Sequence, residues 1–85
     1  MDWVMQFRWM ARYYFNINDG TDLPDVEGLE IADLNRARAE AIRAAGKMIR
    51  DLPGKFDGQE WVMQVTDQSK QPVFTLRFTA TEHPH

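Results

Sequence analysis

The sequence predicts an α+β fold. It should form a small β-α-β-β sheet of three strands, with room for a short fourth at 29–31, and one helix over about 33–52 packed on one face. Three observations predict it. Large side chains alternate through Tyr13, Phe15 and Ile17; apolar residues recur at helical spacing between Leu34 and Leu52; alternation then returns in Trp61, Met63 and Val65 and again in Phe74, Leu76 and Phe78. A period of two lines one face of a strand, whereas a period of about 3.6 gathers a stripe along a helix.

The first strand is "RYYFNIN", with Tyr13, Phe15 and Ile17 inward and Tyr14, Asn16 and Asn18 outward. Asp19-Gly20 ends it, because glycine readily takes the positive φ of a sharp turn. Upstream, Trp3, Met5, Phe7 and Trp9 keep the period of two, while Trp3, Phe7 and Met10 also fit one face of a helical turn. Residues 1–9 are therefore read as an N-terminal extension or a continuation of the strand. The helix opens on Asp33, whose carboxylate can accept from the free amides of the first turn. Its buried stripe is expected to comprise Leu34, Ala37, Ala41, Ala45, Met48 and Leu52, and Pro53-Gly54 to close it. Gly46 falls off that stripe without evident reason. "EWVMQVTD" and "VFTLRFT", joined by "DQSKQP", read as a hairpin whose other face carries Val62, Gln64, Thr66, Val73, Thr75, Arg77 and Thr79. Residues 10–80 make one domain and 81–85 a tail.

With 85 residues, the chain has room for one core and buries only about 60–65% of its unfolded surface, which favours help from a partner. The absence of cysteine excludes disulfides, thiolate nucleophiles and thiolate metal sites. A net charge of −3 argues against a general nucleic-acid binder. No apolar run reaches the roughly 18 residues of a membrane span. The opening "MDWVMQFRWM" is broken by charge and precedes no small-residue cleavage site, so the expected compartment is the cytoplasm.

Several stretches together resemble a known family: "MARYYFNINDG", "DVEGLEIADLNRARAEAIRAA", "VTD" and "FTLRF". They are similar to a family of small proteobacterial proteins described only as a domain of unknown function. The resemblance runs from Met10 to about Thr79 and rests on an arginine-aromatic strand, an Asp-Gly turn, a Glu-Gly segment, an Asp-Leu helix start and a closing hairpin. It implies the same fold and brings no catalytic residues. It also implies that the minimal domain starts near Met10.

Two features invite a chemical reading. The segment Asn18 to Asp33 carries Asp19, Asp22, Asp25, Glu27, Glu30 and Asp33 and no basic residue. An EF-hand loop places its oxygens at fixed positions. Anchoring that frame on Asp22 puts Pro24 and Val26 on ligand positions, and anchoring it on Asp19 puts Thr21 and Leu23 there. The segment reads better as a connector, its last acids favoured by the helix dipole and Leu23, Val26, Leu29 and Ile31 anchoring it to the core. The second feature is a basic stripe of Arg36, Arg43, Lys47 and Arg50 on the side of the helix opposite its apolar face. An acidic loop and a basic stripe make the molecule electrically two-ended, a pattern that favours reciprocal self-association.

No Ser-His-Asp, Cys-His or zinc-hydrolase arrangement can be assembled, and no glycine-rich phosphate loop is present. His83 and His85 lie in the tail. The expectation is a protein that is not an enzyme and holds no cofactor: a protein-interaction module whose partner is itself or another protein, with no membrane contact. Its candidate surface comprises Arg36, Arg43, Lys47, Arg50, Trp3, Phe7, Trp9 and Tyr14. Two alternatives stand beside it: a nucleic-acid-associated regulator using the basic stripe, and a weak divalent-cation binder through the 19–33 loop.

Overall fold

The computed structural model describes residues 10–52 and 59–84. Strand β1 (Ala11–Asn18) is followed by β2 (Asp22–Leu23), β3 (Leu29–Ile31), helix α1 (Leu34–Arg50), β4 (Glu60–Thr66) and β5 (Pro72–Thr79). All pairings are antiparallel, and the sheet runs β2-β1-β4-β5, with β3 also on β1. One helix on one face of an antiparallel sheet is the α+β class expected from the sequence, with five strands rather than three or four.

Cross-strand partners share a face, so the register defines both sides of the sheet. Phe15 and Ile17 lie opposite Val65 and Met63, which lie opposite Phe74 and Leu76. That face meets α1. The other carries Tyr14, Asn16, Gln64, Thr66, Thr75 and Arg77 and has no helix over it among the described residues.

Helix α1 begins where Asp33 predicts. The Asp33 backbone is extended and its carboxylate accepts from the Arg36 amide at 2.8 Å. At the far end, the amides of Asp51 and Leu52 bond back three residues to Met48 and Ile49, tightening the last turn. The Pro53-Gly54 stop lies outside the described residues. Ala37, Ala41 and Ala45 are buried against Trp61, Met63, Val65, Tyr13 and Ile31. Three methyl-sized side chains let the helix backbone approach the sheet, and the bulky residues of β4 fill the space between.

Four readings of the sequence need correction. Met48 is 41% exposed, and Ile49 packs on the core instead. Ile49 continues the row Ala37, Ala41, Ala45, because the helix contacts the sheet along a four-residue ridge. Leu23, Val26 and Leu29 do not anchor the acidic segment: they are 52%, 84% and 48% exposed, and only Ile31 is buried. Leu23 and Leu29 do lie on the helix-bearing face, opposite Ile17 and Tyr13. They sit at its margin, where α1 does not close over them. Thr66 is buried although it belongs to the open face, since the Asn16 amide lies over it with Nδ2 3.4 Å from its hydroxyl. Val73 packs on the core because a bulge between Val65 and Thr66 makes it an extra residue of β5.

Two substitutions probe this packing. Ala41→Leu would overfill the closest helix-sheet contact and should lower stability by about 1–3 kcal/mol, read from the urea midpoint. Gly46 is exposed and a Cβ there would meet open space; nothing in the structure explains the glycine. Gly46→Ala should therefore raise stability by up to about 1 kcal/mol in the same assay.

Candidate functional site

The acidic segment folds into a row of short strands on one edge of β1. Register along β1 changes between its halves: Ile17 faces Leu23, but Tyr13 faces Leu29. Residues 24–28 thus span only 14–16, so two residues bulge out between β2 and β3. Asp25 fills the gap in the ladder. Its carboxylate accepts from the amides of Phe15 at 3.1 Å, Glu27 at 3.1 Å and Gly28 at 3.0 Å. The Asp25 amide donates in turn to the Asn16 side-chain oxygen at 2.9 Å. Gly28 takes φ +70, and a Cβ there would sit 2.9 Å from both the Arg12 side chain and the Tyr13 carbonyl oxygen. No other residue fits without displacing the strand.

Arg12 and Lys70 complete this cluster. Arg12 donates to the Glu27 carbonyl at 2.7 Å and pairs with Glu30 at 3.2 Å. Lys70 occupies the left-handed region at φ 66, in the turn closed by Asp67, and holds its ammonium 3.4 Å from the centre of the Tyr14 ring. Burial works to raise the Asp25 carboxyl. The amides of Gly28, Phe15 and Glu27, with the Lys70 charge behind them, outweigh it and hold the group below its ordinary value of 3.8.

The other acids also have local tasks. Asp19 accepts from the Thr21 amide, Asp22 from the Asn18 side chain, and Asp33 caps α1. Among the described residues, no three His, Asp or Glu side chains converge as a metal site would require.

These residues lie within 12–79, the span matched by the family profile described as "Domain of unknown function (DUF6894)". The chain belongs to the DUF6894 family. No curated protein and no solved structure matches it. The DUF6894 match begins one residue into β1 and ends with β5. The motif residues of this chain are thereby accounted for structurally: Arg12 and Glu30 tie strand to strand, Gly20 and Gly28 make positive-φ turns, Asp25 bridges the bulge, and Asp33 starts the helix.

Other residues offer the surfaces for contact. Arg36 and Arg43 border an open groove of about 420 Å³ between β3 and α1, floored by Met10, Leu29 and Ile31. Glu40 pairs with Arg43 at 3.2 Å across the helix surface. Lys47 and Arg50 lie in the last turn of α1; with Arg36 they are exposed and make no ion pair among the described residues. Tyr14 is half-buried under Lys70, so one face of its ring is already occupied. Trp3, Phe7 and Trp9 lie outside the described residues. No helix among the described residues is long and apolar enough to cross a membrane.

A further apolar strip, absent from the sequence reading, follows β5. The alanine row centres α1 over β4, where Trp61, Met63 and Val65 are at most 2% exposed. Phe74, Leu76 and Phe78 on β5 are only half-buried. Above Phe74 stands Arg38, its guanidinium carbon 5.5 Å from the ring centre. Ile42, one turn further along that flank of α1, is 54% exposed. Its position beside the stripe was legible; its lack of cover follows from where the helix crosses the sheet.

The Asp25 bridge has a definite pH signature. Its folded carboxyl value is lowered, so its contribution is fully present above about pH 5 and is lost as pH falls through the ordinary carboxylate range to below the folded value. Asp25→Asn, which sets an amide NH₂ against backbone donors, should cost about 1–3 kcal/mol at neutral pH. It should also flatten the acid limb of stability, as urea melts of both proteins at pH 7, 5 and 3 would show.

Proposed function

We propose that this DUF6894 chain is a non-catalytic bacterial cytoplasmic module that acts through protein contacts and associates with itself. The observation that carries this reading is the partly exposed apolar strip beside β5: among the described residues Ile42 is 54% exposed, and Phe74 and Leu76 are only half-buried by a helix centred on β4. A chain of 85 residues has little apolar surface to leave in water, and a second copy would bury it. Asp19, Asp22, Asp25, Glu30 and Asp33 support this reading by being engaged elsewhere: they accept from nearby amides, pair with Arg12 or cap α1. Self-association then rests on apolar burial rather than on the acidic loop meeting the basic stripe.

A second reading draws on Arg36, Lys47 and Arg50, exposed cations without an ion-pair partner among the described residues. They suit a phosphate backbone, and such binding would weaken steeply with salt. The two readings separate in one set of measurements. Sedimentation across tens to hundreds of micromolar protein should show the 9.9 kDa chain moving to twice its mass, with an association constant nearly indifferent to salt. Ile42→Asp should weaken it at least about tenfold, consistent with losing an apolar side chain worth about 1.5–3 kcal/mol. A monomer throughout that range, together with salt-sensitive retention on heparin, would transfer the proposal to the basic stripe.

A further inference from the structure

The groove between β3 and α1 lies on the flank of the helix away from Ile42. Its residues and Ile42 fall on opposite sides of the alanine row. Among the described residues its floor is Met10, Leu29 and Ile31, and Ala39 forms part of its helix wall. Met10 is 41% exposed and Leu29 48%. Glu30 and Glu40 border it beside Arg36 and Arg43, so the rim carries both signs. The chain enters the sheet at this groove: Ala11 pairs with Ile31, and Met10 precedes Ala11. Residues 1–9 are therefore tethered to the groove's own floor. Six of those nine are apolar, Met1, Trp3, Val4, Met5, Phe7 and Trp9. Trp3 and Phe7 share a face whatever the local structure, since four residues make two strand periods and about one helical turn.

We infer that residues 1–9 fold back onto their own chain and lay Trp3 and Phe7 into the groove between β3 and α1. The tether has the length to do so. Arg36 to Arg43 is two turns of α1, roughly 10 Å along its axis, whereas nine residues reach about 13 Å as a helix and about 30 Å extended. A segment tied this closely has an effective concentration on the order of millimolar. That exceeds the tens of micromolar at which a second copy would compete, so the occupant is the chain's own segment. Charge allows the contact as well. Asp2 and Arg8 are the segment's charged side chains, and they meet a rim of both signs on which Arg36 makes no ion pair among the described residues. β3 and α1 both belong to the matched span 12–79, so a segment outside the DUF6894 match closes a margin that the matched domain leaves uncovered. This contact is independent of self-association on the β5 side of the helix.

The chain has no cysteine and three tryptophans, so a single introduced thiol can report on indole contact. Ala39 is exposed on the groove wall and Thr75 is exposed on the open face of the sheet. A bimane label, whose emission an indole quenches at contact, would be placed on Ala39→Cys or on Thr75→Cys in the full chain. Each would be compared with the same labelled chain also carrying Trp3→Phe and Trp9→Phe. Trp61, 2% exposed, is common to all four proteins and cancels. The expected result is that the two phenylalanines raise the emission at residue 39 several-fold, equally at all protein concentrations, and leave residue 75 unchanged. Emission at residue 39 that ignores Trp3 and Trp9 would overturn the inference. Quenching of equal size at residue 75 would do the same, since it would show contact without a site. Quenching that fades on dilution, or that unlabelled wild-type chain restores to the phenylalanine variant, would assign the segment to the groove of a second copy and overturn the fold-back.

Discussion

The rest of the fold depends on one carboxylate. β1 and β4 each have partners on both edges, and on the outer edge of β1, at its centre, the neighbouring chain departs from it for five residues, 24–28. Without Asp25 the Phe15 amide would lack an acceptor in the middle of the sheet, and an unpaired amide there costs about 1–3 kcal/mol. β2 and β3, at two and three residues, would be held only by their own few backbone bonds. The Asp25 carboxylate makes one strand of the two pieces. Gly28 is the geometric partner of that contact: the loop can return to β1 only by crossing over Arg12 and Tyr13 at a distance that excludes a side chain.

That contact also places the helix. Ile31 ends β3 as a core residue, and two residues later Asp33 caps α1. The start of α1 is therefore fixed to the β1 side of the sheet, and from there the row Ala37, Ala41, Ala45 and Ile49 carries it across β4. Small side chains bring the axis close, but a closely packed single helix covers a narrow band. Full burial of Trp61, Met63 and Val65 and partial burial of Phe74, Leu76 and Phe78 have one cause. Among the described residues, tight packing in the centre leaves the side chains of β5 less covered than those of β4.

Much of this was legible in the sequence. Alternation identified the three long strands and their inward residues, and the alanine stripe and Asp33 identified the helix and its first residue. What escaped was set by distance rather than by pattern. Leu23 and Leu29 have the right parity to face the helix, yet parity says nothing of how far the helix extends over the sheet. Met48 and Ile49 are neighbours on the wheel, and the slope of the contact ridge, a property of the packed pair, decides between them. Asp25 was read only as one acid of the connector, because the phase change between β2 and β3 is visible only in their pairing with β1. Lys70 was missed altogether: lysine rarely adopts positive φ, and only the fold brings its ammonium to Tyr14 and Asp25.

The same reasoning bears on where function is to be sought in a DUF6894 chain. A cluster of acids within sixteen residues suggests a ligand site when side chains are counted, but a carboxylate already accepting three amides has few lone pairs left for a cation, and one capping a helix is turned toward the backbone. The basic stripe differs, because Arg36, Lys47 and Arg50 are tied to nothing described, yet exposed cations are the ordinary covering of an outer helix face and by themselves select no partner. Exposed branched carbon beside a half-buried aromatic ring, as at Ile42 and Phe74, is less ordinary.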